Sequence, residues 1–253
     1  MRKPFIVGNW KMNINSQKAV SLASGLAEAV GEIDTVDVAI CPPLVYLHDT
    51  AKALSSSNIS LGAQNVYYQP SGAFTGETSC EMLKDVGCQY VIIGHSERRH
   101  VMGETDDLIN KKVVVAISSG LLPILCVGEL LEQREADQTD AVVTEQVKKG
   151  LAGLSEEKVL AVTIAYEPVW AIGTGKTATS QQAQEVHQMI RKLLAEMYND
   201  SVAAQIRIQY GGSAKPYNTA ELMSCPDVDG LLVGGASLKV ESFASMIVTT
   251  AKL

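Results

Sequence analysis

The chain has 253 residues, 46% of them hydrophobic, with mean hydropathy +0.09, and no Ser/Gly/Pro linker or shift of composition divides it; the expectation is a single domain over residues 1–253. With 21 Lys and Arg against 28 Asp and Glu, the net charge is -7, which disfavours general binding to nucleic acid or an anionic membrane. Any phosphate must be caught by local groups.

In chain order, the opening MRKPFIVGNWKMN carries two positive charges but meets Pro4 and then Asn9, so its apolar run is too short for a signal peptide. Its FIVGNW, from Phe5, is the first of a series of short apolar runs. VDVAIC ends at Cys41, ISLGAQN starts at Ile59, YVIIGH at Tyr90 and LLPILCVG at Leu121. LAVTIAYE from Leu160, IRIQYGG from Ile206 and GLLVGG from Gly230 complete eight candidate strands. Their apolar residues are continuous rather than alternating, which predicts strands buried on both faces, as in a parallel sheet covered by helices. Amphipathic segments at 17–30, 107–119, 139–151 and 180–198 lie between them.

Eight βα units in this length predict an α/β chain folded as a closed (β/α)8 barrel, with an open doubly wound sheet as the alternative. No segment is long enough to span a bilayer. The five cysteines form an odd set without CxxC spacing, in mostly apolar surroundings, which fits small core residues in a reducing, cytoplasmic setting. The Asn-x-Ser sequons at Asn58 and Asn199 then carry no glycan.

Polar residues collect where the apolar runs stop: Asn9 and Lys11, Gln64 and Asn65, His95 and Glu97, Glu129, Glu167, Gly211 to Ser213, Gly234 and Gly235. In a parallel barrel all strand C-termini face one rim, so these residues converge on one mouth. Glu167 is the best general base, because a carboxylate under an apolar cover has its pKa raised by desolvation. The competing reading is a rim salt bridge.

Glu167 runs into Pro168, Val169, Trp170, Ala171, Ile172, Gly173, Thr174, Gly175 and Lys176, a loop hinged by proline and glycine that reads as a lid. Gly173, Gly175 and Ala178 loosely imitate a dinucleotide fingerprint, and Gly175 to Thr177 a P-loop end. Trp170 stands where the P-loop needs glycine, and Glu167 to Ile172 separate the glycines from their strand.

His95 follows YVIIG and precedes Ser96, a candidate helix cap; the positive end of that helix favours neutral imidazole as a donor to a carbonyl. His48, His100 and His187 read as structural. Lys11 is placed to attract an anionic substrate and steady an oxyanion, although most lysines are merely solvated. Glu97 reads as an orienting residue or a helix-start charge. The glycine pairs at 211–212 and 234–235 are able to offer N–H groups to phosphate, but each pair alone reads equally as a tight turn with positive φ. The long loop 66–79 exposes Phe74 and Thr75, either for a partner or for packing on its own barrel. No metal is expected, since HExxH, CxxC pairs and calcium-loop aspartates are missing. A glycosidase pair of Glu97 and Glu167 lacks a sugar-stacking platform, with only 5% aromatic residues.

Together, NWKMN at Asn9, GAQN at Gly62, GAFTGE at Gly72, GHSERR at Gly94, CVGE at Cys126, AYEPVWAIGTGK at Ala165, YGGS and VGGASL resemble the triosephosphate isomerase family, in its order, from Asn9 to Leu238. The resemblance implies interconversion of dihydroxyacetone phosphate and glyceraldehyde 3-phosphate through an enediolate, in glycolysis and gluconeogenesis, by a cytosolic homodimer without cofactor. It implies Glu167 as proton shuttle and His95 as electrophile. Lys11 and Asn9 would stabilise the enediolate and bind substrate, with Glu97 in support. Phosphate would be held by N–H groups of Gly173, Ser213, Gly234 and Gly235, and Thr75 would reach the neighbouring subunit's Asn9 and Lys11. Met102, where many members carry phenylalanine, is the one departure and touches packing. The alternatives are an aldolase-like barrel enzyme with Lys11 as Schiff base, or a non-catalytic phosphate-binding protein.

Overall fold

The computed structural model describes residues 2–172 and 177–253. Among these, eight strands close into a barrel in chain order: β1 (Phe5–Asn9), β2 (Asp37–Cys41), β3 (Ile59–Ala63), β4 (Tyr90–Ile93), β5 (Leu122–Val127), β6 (Thr163–Tyr166), β7 (Ile208–Tyr210) and β8 (Gly230–Val233). Every pairing is parallel, and β8 returns to β1 with Gly8 opposite Val233. Closure excludes the open sheet, since no strand keeps an unpaired edge.

The apolar runs are continuous because both faces of each strand are covered, yet period two still sorts them. Phe5, Val7, Ala39, Cys41, Tyr90, Ile92, Ile124, Cys126 and Ala165 fill the barrel interior. Their neighbours Ile6, Ile40, Val91, Ile93, Leu125 and Ile164 point outward into the layer shared with the helices. Burial of these side chains, at roughly 1.5–3 kcal/mol each, is the main force holding the helices to the barrel.

The predicted amphipathic segments appear as helices Ser16–Val30, Asp106–Ser118, Thr139–Gly150 and Ser180–Met197. Their starts are written locally. Asn15 Oδ1 accepts the Lys18 N–H at 3.0 Å, and Thr179 and Gln182 exchange reciprocal bonds of 2.9 and 3.1 Å. Met197 and Gly150 end their helices one residue short of the expected bounds, where the last turn tightens. No helix among the described residues is long and apolar enough to cross a membrane.

At the N-terminal end, the Arg207 guanidinium lies 4.4 Å over the Phe5 ring and pairs with Asp37 at 2.6 Å, while Gln209 Nε2 donates to the Phe5 carbonyl at 2.9 Å. These contacts close the barrel floor. At the opposite end, register aligns Asn9 with Cys41, Val127 with Tyr166, and Tyr166 with Tyr210. The residues just beyond these therefore share one rim, as expected from parallel strands.

Candidate active site

Glu167 is the first residue past β6, and its backbone is pinned from two sides. Its N–H donates to the Val127 carbonyl at 2.7 Å, and Gly211 donates to the preceding Tyr166 carbonyl at 2.7 Å. Glycine is required at both flanks by close approach. A Cβ on Gly128 would lie 1.7 Å from the Glu167 carbonyl oxygen, and one on Gly211 would lie 2.8 Å from Glu167 Cγ. Neither glycine of the 211–212 pair has positive φ, and neither does Gly234 or Gly235, so the tight-turn reading of these pairs is overturned.

Glu167 is 2% exposed, and its side chain reaches β4's end, where Oε1 lies 2.9 Å from His95 Nε2 and Oε2 accepts the Ser96 N–H at 2.9 Å. The cap differs from expectation. His95 itself occupies the cap of the short Ser96–His100 helix, its Nδ1 accepting the Glu97 N–H at 3.2 Å, while Ser96 is the first helical residue. This happens because the ring nitrogen reaches the same orphan N–H that a serine cap would take. An Nδ1 that accepts leaves the ring's proton on Nε2, so His95 is neutral and donates to Glu167.

Burial alone would raise the Glu167 pKa, as expected from sequence. The His95 ring beside it, the bonds from His95 and Ser96, and the Lys11 charge outweigh burial and hold it below the ordinary carboxylate value. That corrects the expected direction for the unliganded protein. For His95, burial lowers the pKa, but the Glu167 carboxylate outweighs it and raises it.

Lys11 comes from the end of β1 with φ of 51°, a left-handed conformation uncommon outside glycine. Two side chains hold it there: Asn9 Oδ1 accepts its N–H at 3.0 Å, and Gln64 Nε2 donates to its carbonyl at 2.9 Å and to that of Cys41 at 2.8 Å. Its ammonium reaches Glu97 Oε1 at 2.6 Å. A Cβ on Gly234 would stand 3.5 Å from Lys11 Cε, which places the glycine after β8 at the same mouth. Gly235 begins a short 3-10 helix whose first N–H groups have no partner within their own turn, the arrangement that binds anions.

Ser213 follows Gly212, whose Cβ position would collide with the Tyr210 hydroxyl at 2.2 Å and Pro168 Cγ at 3.0 Å. Asn218 shapes that loop, donating to the Ser213 carbonyl at 3.1 Å and accepting the Lys215 N–H at 2.7 Å. The structure thus gathers Asn9, Lys11, His95, Glu97, Glu167 and Gly234. Of the expected lid, Pro168 to Ile172 are described, whereas Gly173, Thr174, Gly175 and Lys176 lie outside the described residues. Phe74 packs on Tyr67 at 5.0 Å between ring centroids, and Thr75 beside it is exposed.

Sequence reasoning named Glu129 and Gln64 as rim residues without a role. Glu129 is fully buried and accepts from Trp170 Nε1 at 2.8 Å and the Tyr166 hydroxyl at 3.1 Å, anchoring the segment after Glu167. A charged residue directly after a CVG strand end was the available signal. Among the described residues, no group of three His, Cys, Asp or Glu is placed to hold a metal ion.

A family model described as triosephosphate isomerase matches residues 4–250. Curated relatives carrying the same name include those of Rhodopirellula baltica, 55% identical over 246 residues with 97% of each chain covered, and Carboxydothermus hydrogenoformans, 56% identical over 247 residues with 98% of each covered. That of Moorella thermoacetica is 55% identical over 247 residues, again with 98% of each chain covered.

Proposed function

The chain belongs to the triosephosphate isomerase family and interconverts dihydroxyacetone phosphate and glyceraldehyde 3-phosphate, a step of glycolysis, and from that premise we propose that Glu167 and His95 move the protons. The observation that carries this is the buried contact of 2.9 Å between Glu167 Oε1 and His95 Nε2. It puts a carboxylate base and a neutral N–H donor within reach of one small substrate.

Glu167 takes a proton from C1 of dihydroxyacetone phosphate, the C–H electron pair becomes the C1–C2 double bond, and negative charge gathers on the C2 oxygen. His95 Nε2–H and the Lys11 ammonium donate to that oxygen, with Asn9 fixing the Lys11 backbone. Return of the proton to C2, with transfer of a hydroxyl proton between the two oxygens by His95, yields the aldehyde. Substrate must displace the Glu167 bonds to His95 and Ser96; burial then dominates and makes the carboxylate a stronger base. Glu97 holds the Lys11 ammonium at the rim.

Phosphate sits against N–H groups of Ser213, Gly234 and Gly235. Pro168 to Ile172 follow the base directly, and Glu129 anchors them through Trp170. The chain acts as one domain, in the cytosol, as a homodimer. The exposed Met12 and Met102 beside a cavity of about 340 Å³ that also takes in Lys11, Asn65 and Glu97 support a second copy docking there, with Phe74 and Thr75 of each protomer entering the other.

Glu167→Gln keeps size and removes the base. It should lower kcat by about 10³-fold or more while inorganic phosphate still competes for the site; near-normal turnover would remove Glu167 from the mechanism.

A further inference from the structure

Gln146 stands on the Thr139–Gly150 helix, outside the barrel wall. Its amide reaches inward to the end of β5, where Gly128 N–H donates to Oε1 at 2.7 Å and Nε2 donates to the Gly128 carbonyl at 3.1 Å. Both bonds are buried. The β5–β6 register ends with Val127 opposite Tyr166, so Gly128 is the first residue beyond it. A side-chain amide carries one donor and one acceptor like a peptide group, and Gln146 thereby supplies the pair of bonds that a neighbouring strand would have made.

Gly128 lies against the Glu167 carbonyl so closely that a Cβ would be 1.7 Å from its oxygen. On either side of it, Val127 accepts the Glu167 N–H at 2.7 Å and Glu129 accepts the Val169 N–H at 3.1 Å. Residues 127–129 thus form the bed on which residues 167–169 rest, and the Gln146 amide grips its middle. We propose that Gln146 is a positioning residue for the isomerisation, fixing Gly128 and through it the place of the Glu167 carboxylate. This rests on Glu167 as the base.

The geometry makes a specific demand on residue 146. Its group must accept from Gly128 N–H and donate to Gly128 C=O at once. In Gln146→Glu an ionised carboxylate accepts the first bond but repels the carbonyl, whereas the protonated acid makes both. Burial favours the protonated form and moves the change toward neutral pH. The charged groups sharing the cleft beside Gln146 are Arg99, His100 and Lys149 against Glu104, Asp106 and Asp107; they are the same in parent and variant.

The test is kcat and KM of Gln146→Glu and Gln146→Met against the parent across the pH range in which all remain folded. The expected result is a Gln146→Glu kcat near the parent's in acid that falls about tenfold or more below it in alkali, with KM unchanged. Gln146→Met should be depressed in kcat at every pH. A kcat ratio that is independent of pH for Gln146→Glu, or an unaltered kcat in folded Gln146→Met, would overturn the proposal. Glu167→Gln separates the two failures: if it kills turnover while the Gln146 ratio is flat, only the positioning role falls, and if it leaves turnover intact, the reading of Glu167 falls first.

Discussion

Replacing Gly128 by alanine asks whether the base is placed from the backbone. The new Cβ would stand 1.7 Å from the Glu167 carbonyl oxygen, 2.6 Å from its carbonyl carbon and 3.3 Å from its Cα, where ordinary contact begins at 3.4 Å. Relief therefore needs a shift of about 1.7 Å at the oxygen. Gly128 cannot supply it alone, because Gln146 holds both its N–H and its carbonyl. Much of the movement falls on Glu167, whose carboxylate depends on a contact of 2.9 Å with His95. A displacement of about 1 Å costs roughly 10²-fold in rate, or about 2.7 kcal/mol of barrier. Overpacking also costs about 1–3 kcal/mol of stability, so the folded fraction is measured by circular dichroism before a coupled assay of kcat and KM. The prediction is a large fall in kcat with modest change in KM. A folded Gly128→Ala protein with unchanged kcat would refute the reasoning.

His187 is fully buried, its Nδ1–H donating to the Asp227 carbonyl at 3.1 Å, and burial lowers its pKa from 6.5 to about 4. Between those values the unfolded chain binds a proton that the native one lacks, so stability falls as pH drops through the window, by up to about 3 kcal/mol; His187→Gln should flatten that slope in urea titrations, and a parallel slope would contradict the assignment. Lys112, 1% exposed, binds Glu104 at 2.5 Å and Asn65 at 2.8 Å. Lys112→Met leaves Glu104 buried with Arg98 as its remaining ion-pair partner among the described residues and should cost about 3 kcal/mol in urea unfolding, whereas an unaltered midpoint would show the pair to be dispensable. His95→Gln removes the aligned Nε2–H and should lower kcat about 10²-fold or more with little change in KM; equal effects on both constants would assign His95 to binding instead.

The barrel was legible because its strands are short apolar runs at regular spacing, and one rim collects their C-terminal ends. Glu167, His95 and Lys11 were legible for the same reason, each standing just where an apolar run stops. The residues that hold them were not. Gln146 reads in sequence as one more polar residue of an amphipathic helix, and only the distance to Gly128 gives it a role. Gln64 likewise gains meaning from the left-handed backbone of Lys11, which no local pattern announces. The glycine pair after β7 was visible, but its cause was misread, since crowding by Glu167 and Tyr210 excludes a side chain there while φ stays negative. The direction of the Glu167 pKa failed because burial was foreseen, whereas the His95 ring beside the carboxylate and the hydrogen bonds from His95 and Ser96 were not.

Proton transfer at carbon is the central claim, and deuterium reads it directly. Dihydroxyacetone phosphate incubated with the pure protein in D₂O and followed by proton NMR should give glyceraldehyde 3-phosphate with deuterium at the carbon next to the aldehyde, and label should also enter C1 of the remaining ketone. Folded protein that yields neither product nor label would contradict the account.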